Sequence, residues 1–227
     1  MIITMANSKG GAGKTTVMRA LAGHAARLGI PVTILDCDTS ENATRWMTYS
    51  REAGIWPDNI DVIAVNDADL LMEIAPQYAK REHHLTFIDL EGTTNEFFGA
   101  GLWLADLVIC PVQLAGEEIF GAYTLHGPVM DQLKATREHL PPIIVVVTSI
   151  DLIDLKSRKV QDYWQLLADG GMKVAENKLV HRKAYKKLHL GGTLYTIPDP
   201  DLKAIADARN LFEEVLEPYL ERQAEPA

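Results

Sequence analysis

The stretch that most narrows this sequence is Lys9–Thr15, KGGAGKT, set between a β-branched run (Ile2–Ala6) and a helical pattern beginning at Thr15. Gly10, Gly11 and Gly13 free the backbone to turn its N–H groups inward, toward a closely held anion. A helix starting at the end of such a loop adds unpaired N–H groups and the positive end of its dipole. Gly10, Gly11, Ala12, Gly13, Lys14, Thr15 and Thr16 therefore read as a polyphosphate cradle. Lys14 is suited to β/γ-phosphate charge, and the Thr15 hydroxyl to ligating Mg²⁺. The general pattern G-x-x-x-x-G-K-[ST] is met loosely, because Ser8 stands where the first glycine usually falls. A structural glycine turn is the competing reading of the loop, and a solvated charge is the competing reading of Lys9.

Strand-like and helix-like patterns alternate along the rest of the chain. Val32–Asp36, Asp61–Val65, Leu85–Asp89, Leu107–Val112 and Ile143–Val147 join Ile2–Ala6 as short apolar runs. They are continuous rather than alternating, as strands of a parallel sheet covered on both faces are. Helical periodicity is expected over Thr15–Leu28, Asn42–Ala53, Asp69–Lys80, Glu117–His139, Ser157–Asp169 and Leu202–Leu220. The order predicts an α/β, doubly wound, mostly parallel sheet with helices on both faces, in one domain over residues 1–220. Residues 221–227 read as a flexible polar tail. Two cysteines, Cys37 and Cys110, lie in apolar runs and indicate a reducing, cytoplasmic setting. No signal peptide or membrane-spanning run is expected, and no DNA-reading domain ahead of the first strand.

Lys9–Thr15 matches K-G-G-x-G-K-[ST], and the chain here resembles the ParA/MinD family of deviant Walker A ATPases. In that family the lysine matched by Lys9 reaches the nucleotide of a partner subunit. The resemblance thus implies a homodimer built around two ATP molecules, with Lys9 acting in trans as an arginine finger does. "LDCDTSENAT" is similar to the family's D-x-D-P-Q-G-N-A-T, with Asp36, Asp38, Asn42, Ala43 and Thr44 in register. By this resemblance Asp38 positions and polarises the attacking water, and Asp36 lies near the metal. An N-cap role for Asp38 or Ser40 is the alternative. In "LTFIDLEGTTNE", Asp89 at the end of an apolar run is placed to hold a Mg²⁺-bound water. The family usually continues D-T-P-P, whereas this chain has Leu90, Glu91 and Gly92.

Net charge is −9, but it is unevenly spread. Lys156–Lys187 holds nine basic and three acidic residues, net +6; the remainder holds 13 basic and 28 acidic, net −15. Lys178, Arg182, Lys183, Lys186 and Lys187 are the candidate contacts to a phosphate backbone, with no groove-reading motif among them. A solvated helix face is the competing reading. In ParA proteins the corresponding third of the chain binds non-specific DNA, and "VHRKAYKKLHLGGTLYTI" looks like the matching part of the ParA-like ATPase assisting T-DNA transfer. The expectation is a Mg²⁺-dependent ATPase that binds DNA non-specifically as a dimer. It would position a plasmid or relaxosome cargo and be reset by a ParB-like or relaxosome adaptor, in the cytoplasm and on the nucleoid when ATP is bound. A MinD-like membrane-positioning ATPase is one alternative, disfavoured by the acidic C-terminal stretch interrupted by Pro218. An ATP-dependent metabolic ligase of the same fold is the other.

Overall fold

In the computed structural model, which describes residues 1–92 and 95–224, eight strands form one sheet. They are β1 (Ile2–Met5), β2 (Val32–Cys37), β3 (Ile60–Ala64), β4 (Leu85–Leu90), β5 (Leu107–Val112), β6 (Ile143–Ile150), β7 (Lys173–Val174) and β8 (Leu179–Val180). The order is β3-β2-β4-β1-β5-β6-β7, with β8 also pairing β6, and each pairing is parallel. The helices are α1 (Lys14–Arg27), α2 (Asn42–Glu52), α3 (Ala68–Ala79), α4 (Glu96–Leu104), α5 (Gly116–Thr124), α6 (Met130–Leu133), α7 (Arg158–Asp169), α8 (Lys183–Lys187), α9 (Leu202–Val215) and α10 (Glu217–Ala224).

Strand side chains alternate between two separate cores, which explains the continuous apolar runs. In β4, Leu85 and Phe87 join the core under α1 and α9, while Ile88 and Leu90 join the core under α3 and α4. β1 lies between β4 and β5, where the winding of the chain reverses. The crevice outside the C-terminal end of β1 is therefore the topological switch point, where open α/β sheets bind ligands.

Three helical expectations change. The helix expected over Glu117–His139 begins as α5, widens into a π turn over Leu125–Val129 and ends as α6 at Leu133. Pro128 sits inside that turn and offers no N–H to the ladder, a sufficient cause for the irregularity. The helix expected over Leu202–Leu220 is two helices that meet at Leu216, with Pro218 in the first turn of α10, where a missing N–H costs nothing. α10 continues to Ala224, four residues into the expected tail; residues 225–227 lie outside the described residues. α4, EFFGAGLWL, was not foreseen, because two glycines and apolar residues on all sides hide its period. Packing explains one of those glycines: a Cβ on Gly101 would lie 3.1 Å from the Leu90 methyls, and Thr4 Oγ1 donates to the Gly101 carbonyl at 2.7 Å.

Candidate active site

The loop after β1 is fixed from both sides. Asn7 donates through Nδ2 to the carbonyls of Pro111 (2.9 Å) and Glu118 (3.3 Å), and its Oδ1 accepts the Lys9 N–H at 3.1 Å. Gln113, beyond β5, donates to the Gly11 carbonyl at 2.6 Å, and Thr148 on β6 donates to the Ala12 carbonyl at 2.9 Å. Gly11 and Gly13 have φ of +78° and +99°, a region open to glycine at little cost. Lys14 Nζ donates to the carbonyls of Lys9 (3.1 Å) and Asn7 (3.3 Å), so it arches over the loop. Burial lowers its pKa, opposed by Asp89, Asp38, Cys110 and Glu91.

Lys9 itself is half-buried at the loop entrance. Two glycines from other elements close on this entrance. A Cβ on Gly121 of α5 would fall 2.3 Å from Asn7 Oδ1 and 3.2 Å from Lys9 Cγ. One on Gly92, just after β4, would fall 2.5 Å from the Gly10 nitrogen. The Leu90-Glu91-Gly92 departure thus puts a glycine directly on the phosphate loop, a close approach that a side chain would forbid.

Beside the loop, Asp36 of β2 and Asp89 of β4 stand in register across the parallel pair. Asp36 Oδ2 accepts from the Thr44 N–H and hydroxyl, both at 2.8 Å, and Asp89 Oδ2 accepts from the Thr15 hydroxyl at 2.8 Å. The other oxygen of each carboxylate is buried without a hydrogen-bond partner among the described residues. Burial raises both pKa values, that of Asp89 to about 7, with Thr15 and Thr44 hydrogen bonds pulling the other way. Two orphaned carboxylate oxygens beside a threonine hydroxyl form a hard, all-oxygen donor set, which fits Mg²⁺. Among the described residues there is no group of three or more His, Cys, Asp or Glu arranged for a metal, so a cation here would also need ligands from water or substrate.

Asp38 lies just outside this pit, half-exposed, and its Oδ1 accepts from the Ser40 N–H at 2.8 Å and from the Ser40 hydroxyl. The N-cap alternative is corrected: Glu41, at φ 49°, holds the N-cap position of α2, and the helix's first-turn donor at Thr44 is met by Asp36.

Sequence reading missed Arg19, which is 9% exposed. It lies four residues after Thr15, on the same face of α1. Its Nη2 donates to the Asn42 carbonyl at 2.6 Å, and its guanidinium lies 5.3 Å from the centre of the Trp46 ring. Desolvation lowers its pKa to about 10 against the attraction of Asp89 and Asp36, so it remains a cation in the wall of the acidic pit. Gln113 and Thr148 were also missed; the available signal was a polar residue at the C-terminal end of a strand, the binding edge of this sheet class.

A cavity of about 230 Å³ adjoins the loop, lined by Gly13, Thr16, Thr148, Ser149, Val180 and Tyr185, with Arg182 and Lys186 at its wall. The basic candidates therefore separate. Arg182 is held by Asp207 (Nε to Oδ2, 2.6 Å), both mostly covered, and is not a free surface cation. Lys178 lies 5.0 Å over the Trp164 ring. Lys183, Lys186 and Lys187 are exposed on α8.

Residues 1–210 match the VirC1 protein family. The chain belongs to that family, within the ParA-like ATPases. It is 28% identical over 198 residues to Protein ParA of Rhizobium radiobacter, covering 86% of both chains. Two solved structures share the fold. A putative plasmid partition protein from Borrelia burgdorferi B31 bound to AMPPNP gives a TM-score of 0.68 at 17% identity, covering 97% of this chain and 98% of that one. The pNOB8 ParA bound to nonspecific DNA gives 0.64 at 12% identity, covering 93% and 98%. In this VirC1-family chain no helix among the described residues is long and apolar enough to cross a membrane.

Proposed function

We propose that this chain hydrolyses ATP with Mg²⁺ at the Lys9–Thr16 loop, dimerises around the nucleotide through Lys9, and binds DNA without sequence preference while ATP is bound. The observation that carries this reading is the Asp36–Asp89 pit beside the Thr15 hydroxyl, with its two unpartnered buried oxygens at the mouth of a phosphate loop. The 230 Å³ cavity past Gly13 is where a purine base would lie. Family membership and the nucleotide and DNA of the structural neighbours agree with it.

The chain's own residues divide the work. The loop N–H groups and Lys14 bind phosphate oxygens, and Lys14 exchanges its two carbonyl partners for them. Thr15, Asp36 and Asp89 would hold Mg²⁺, which supplies charge neutralisation across the phosphates. Asp38, half-exposed with one oxygen held by Ser40, orients the attacking water and accepts its proton. Lys9 places positive charge on the partner subunit's nucleotide, which makes hydrolysis a release switch. Lys183, Lys186 and Lys187 supply phosphate-backbone contacts. The cargo is a plasmid or a relaxosome, and a ParB-like or relaxosome adaptor stimulates hydrolysis; the protein is cytoplasmic, and nucleoid-associated with ATP.

The test is a gel shift on unrelated duplexes with ATP, ADP or no nucleotide at two salt concentrations. Binding with ATP alone, indifferent to sequence and lost at high salt, is the expected result. Absence of binding in all states would remove DNA from the proposal and leave the nucleotide site standing.

A further inference from the structure

An apolar hollow on the surface lies away from the phosphate loop. It is a groove of about 450 Å³ between α3, α4 and the π turn and α6, lined by Met72, Gly99, Ala100, Trp103, Val129 and Leu133 among others. Trp103 is 43% exposed and Met72 36% exposed. The floor carries a second anomaly. Gly99 sits inside α4, exposed, and a Cβ there would meet nothing within 4 Å. A mid-helix glycine costs about 1 kcal/mol relative to alanine. Gly101, two residues on, is explained by Leu90 and Thr4; the folded chain offers no such contact for Gly99. A glycine followed by an alanine on an open helix face is what permits another backbone to approach closely.

The rim is acidic. Asp69 lies three residues before Met72 on α3, and Glu96 lies three before Gly99 on α4, so each shares the stripe of a lining residue, and both are exposed. The cations that follow the lining residues Leu133 and Thr136 are engaged: Lys134 by Asp131 at 2.7 Å, and Arg137 by the carbonyls of Leu102, Trp103 and Ala105 at 3.2, 2.8 and 2.8 Å.

We infer that this groove docks an amphipathic helix of a partner protein, its apolar side over Gly99–Ala100 and its flanks carrying Lys or Arg toward Asp69 and Glu96. A helix fits because the walls are themselves helices and small floor residues allow close helix approach. α4 is also the helix leading out of the segment that bears on the loop, since Asn95 caps it by accepting the Phe98 N–H at 3.0 Å, three residues after Gly92. A helix seated here therefore acts on the element that follows Gly92. That coupling rests on the ATPase reading above; the docking does not.

The probe is a fluorescein-labelled 14-residue amphipathic peptide of Leu and Lys, compared by anisotropy with one carrying Glu for Lys on the same apolar face. The Leu/Lys peptide is expected to bind at least tenfold tighter than the Leu/Glu peptide. Gly99→Leu, which fills open space and favours helix, should weaken binding tenfold or more while leaving the thermal midpoint unchanged or higher. Asp69→Asn with Glu96→Gln should weaken it severalfold. Equal affinity for wild type and Gly99→Leu, or indifference to peptide charge, overturns the inference. So does sedimentation showing that the wild type self-associates and Gly99→Leu does not, since a second copy would then be the occupant. Peptide binding as expected in a protein that shows no ATP turnover would leave the groove in place and remove the ATPase reading instead.

Discussion

The phosphate loop and the basic stretch around α8 both carry lysines, yet the fold treats their charges in opposite ways. Lys14 is buried and fixed by two loop carbonyls, and the loop itself is tied to Pro111 of β5 and Thr148 of β6. In the basic stretch, Arg182 is taken by Asp207 and Lys178 by Trp164, while Lys183, Lys186 and Lys187 remain in water. A seven-residue pattern located the first region, and Gln113, Thr148 and Gly92 from elsewhere in the chain complete it. A charge count over 32 residues located the second but did not say which cations were free. The difference is one of constraint: a phosphate cradle works in one geometry, whereas a phosphate-backbone footprint needs only net charge on a face.

The largest effect expected from this contrast is at the loop. Lys14→Ala should reduce ATP turnover by about 100-fold or more, because a preorganised charge in a water-poor site is lost. Lys9→Ala should leave ATP binding by the monomer within a few fold while abolishing the ATP-dependent dimer in sedimentation. A Lys9→Ala protein that dimerised normally would refute the trans role. Neutralising Lys183, Lys186 and Lys187 together should lower DNA affinity uniformly across sequences and reduce the slope of log K against log salt by about 2–3. Arg182→Gln, in contrast, should leave that slope nearly unchanged.

The acidic pit gives a pH test in metal-free protein. Asp89 has a folded pKa raised from 3.8 to about 7, so the folded state holds a proton that the unfolded chain gives up. Stability from this group is therefore greatest below the unfolded value, and declines as pH rises from about 4 to about 7. Asp89→Asn removes the penalty. Between pH 5 and pH 8 the wild type should lose on the order of 2 kcal/mol more than the variant in chemical denaturation. Parallel curves would show that the carboxylate is not strained by burial. The smallest effect belongs to Arg182→Gln, which removes a mostly covered ion pair and should cost about 1 kcal/mol of stability.

Much of this was legible in the chain. β1, β2, β4, β5 and β6 were visible because they are buried on both faces along nearly their whole length, so their apolar runs are unbroken; β3, at the sheet edge, alternates, with Asp61 and Ala64 exposed. Asp36 and Asp89 were both foreseen, but their facing register was not, since it depends on β2 and β4 pairing across 53 residues of sequence. Arg19 was hidden for the same reason: in a helix pattern an arginine reads as solvent-facing, and only the packing of α1 against α2 encloses it. β7, β8 and α8 are too short for any period to register. Glu117–His139 misled because periodicity continues through Pro128 while the hydrogen-bond ladder does not.

The sequence by itself determined the fold class and displayed the glycine-rich loop after β1 with the residue types near it, because glycine spacing and strand burial are local facts written in consecutive residues. Tertiary structure alone decided which carboxylate oxygens lack partners, which cations are already paired, that Gly92 rests on Gly10, and that α3, α4 and α6 leave an apolar groove open. Those depend on atoms brought together from distant parts of the chain, and such distances are set only when the whole sheet and both its cores have formed.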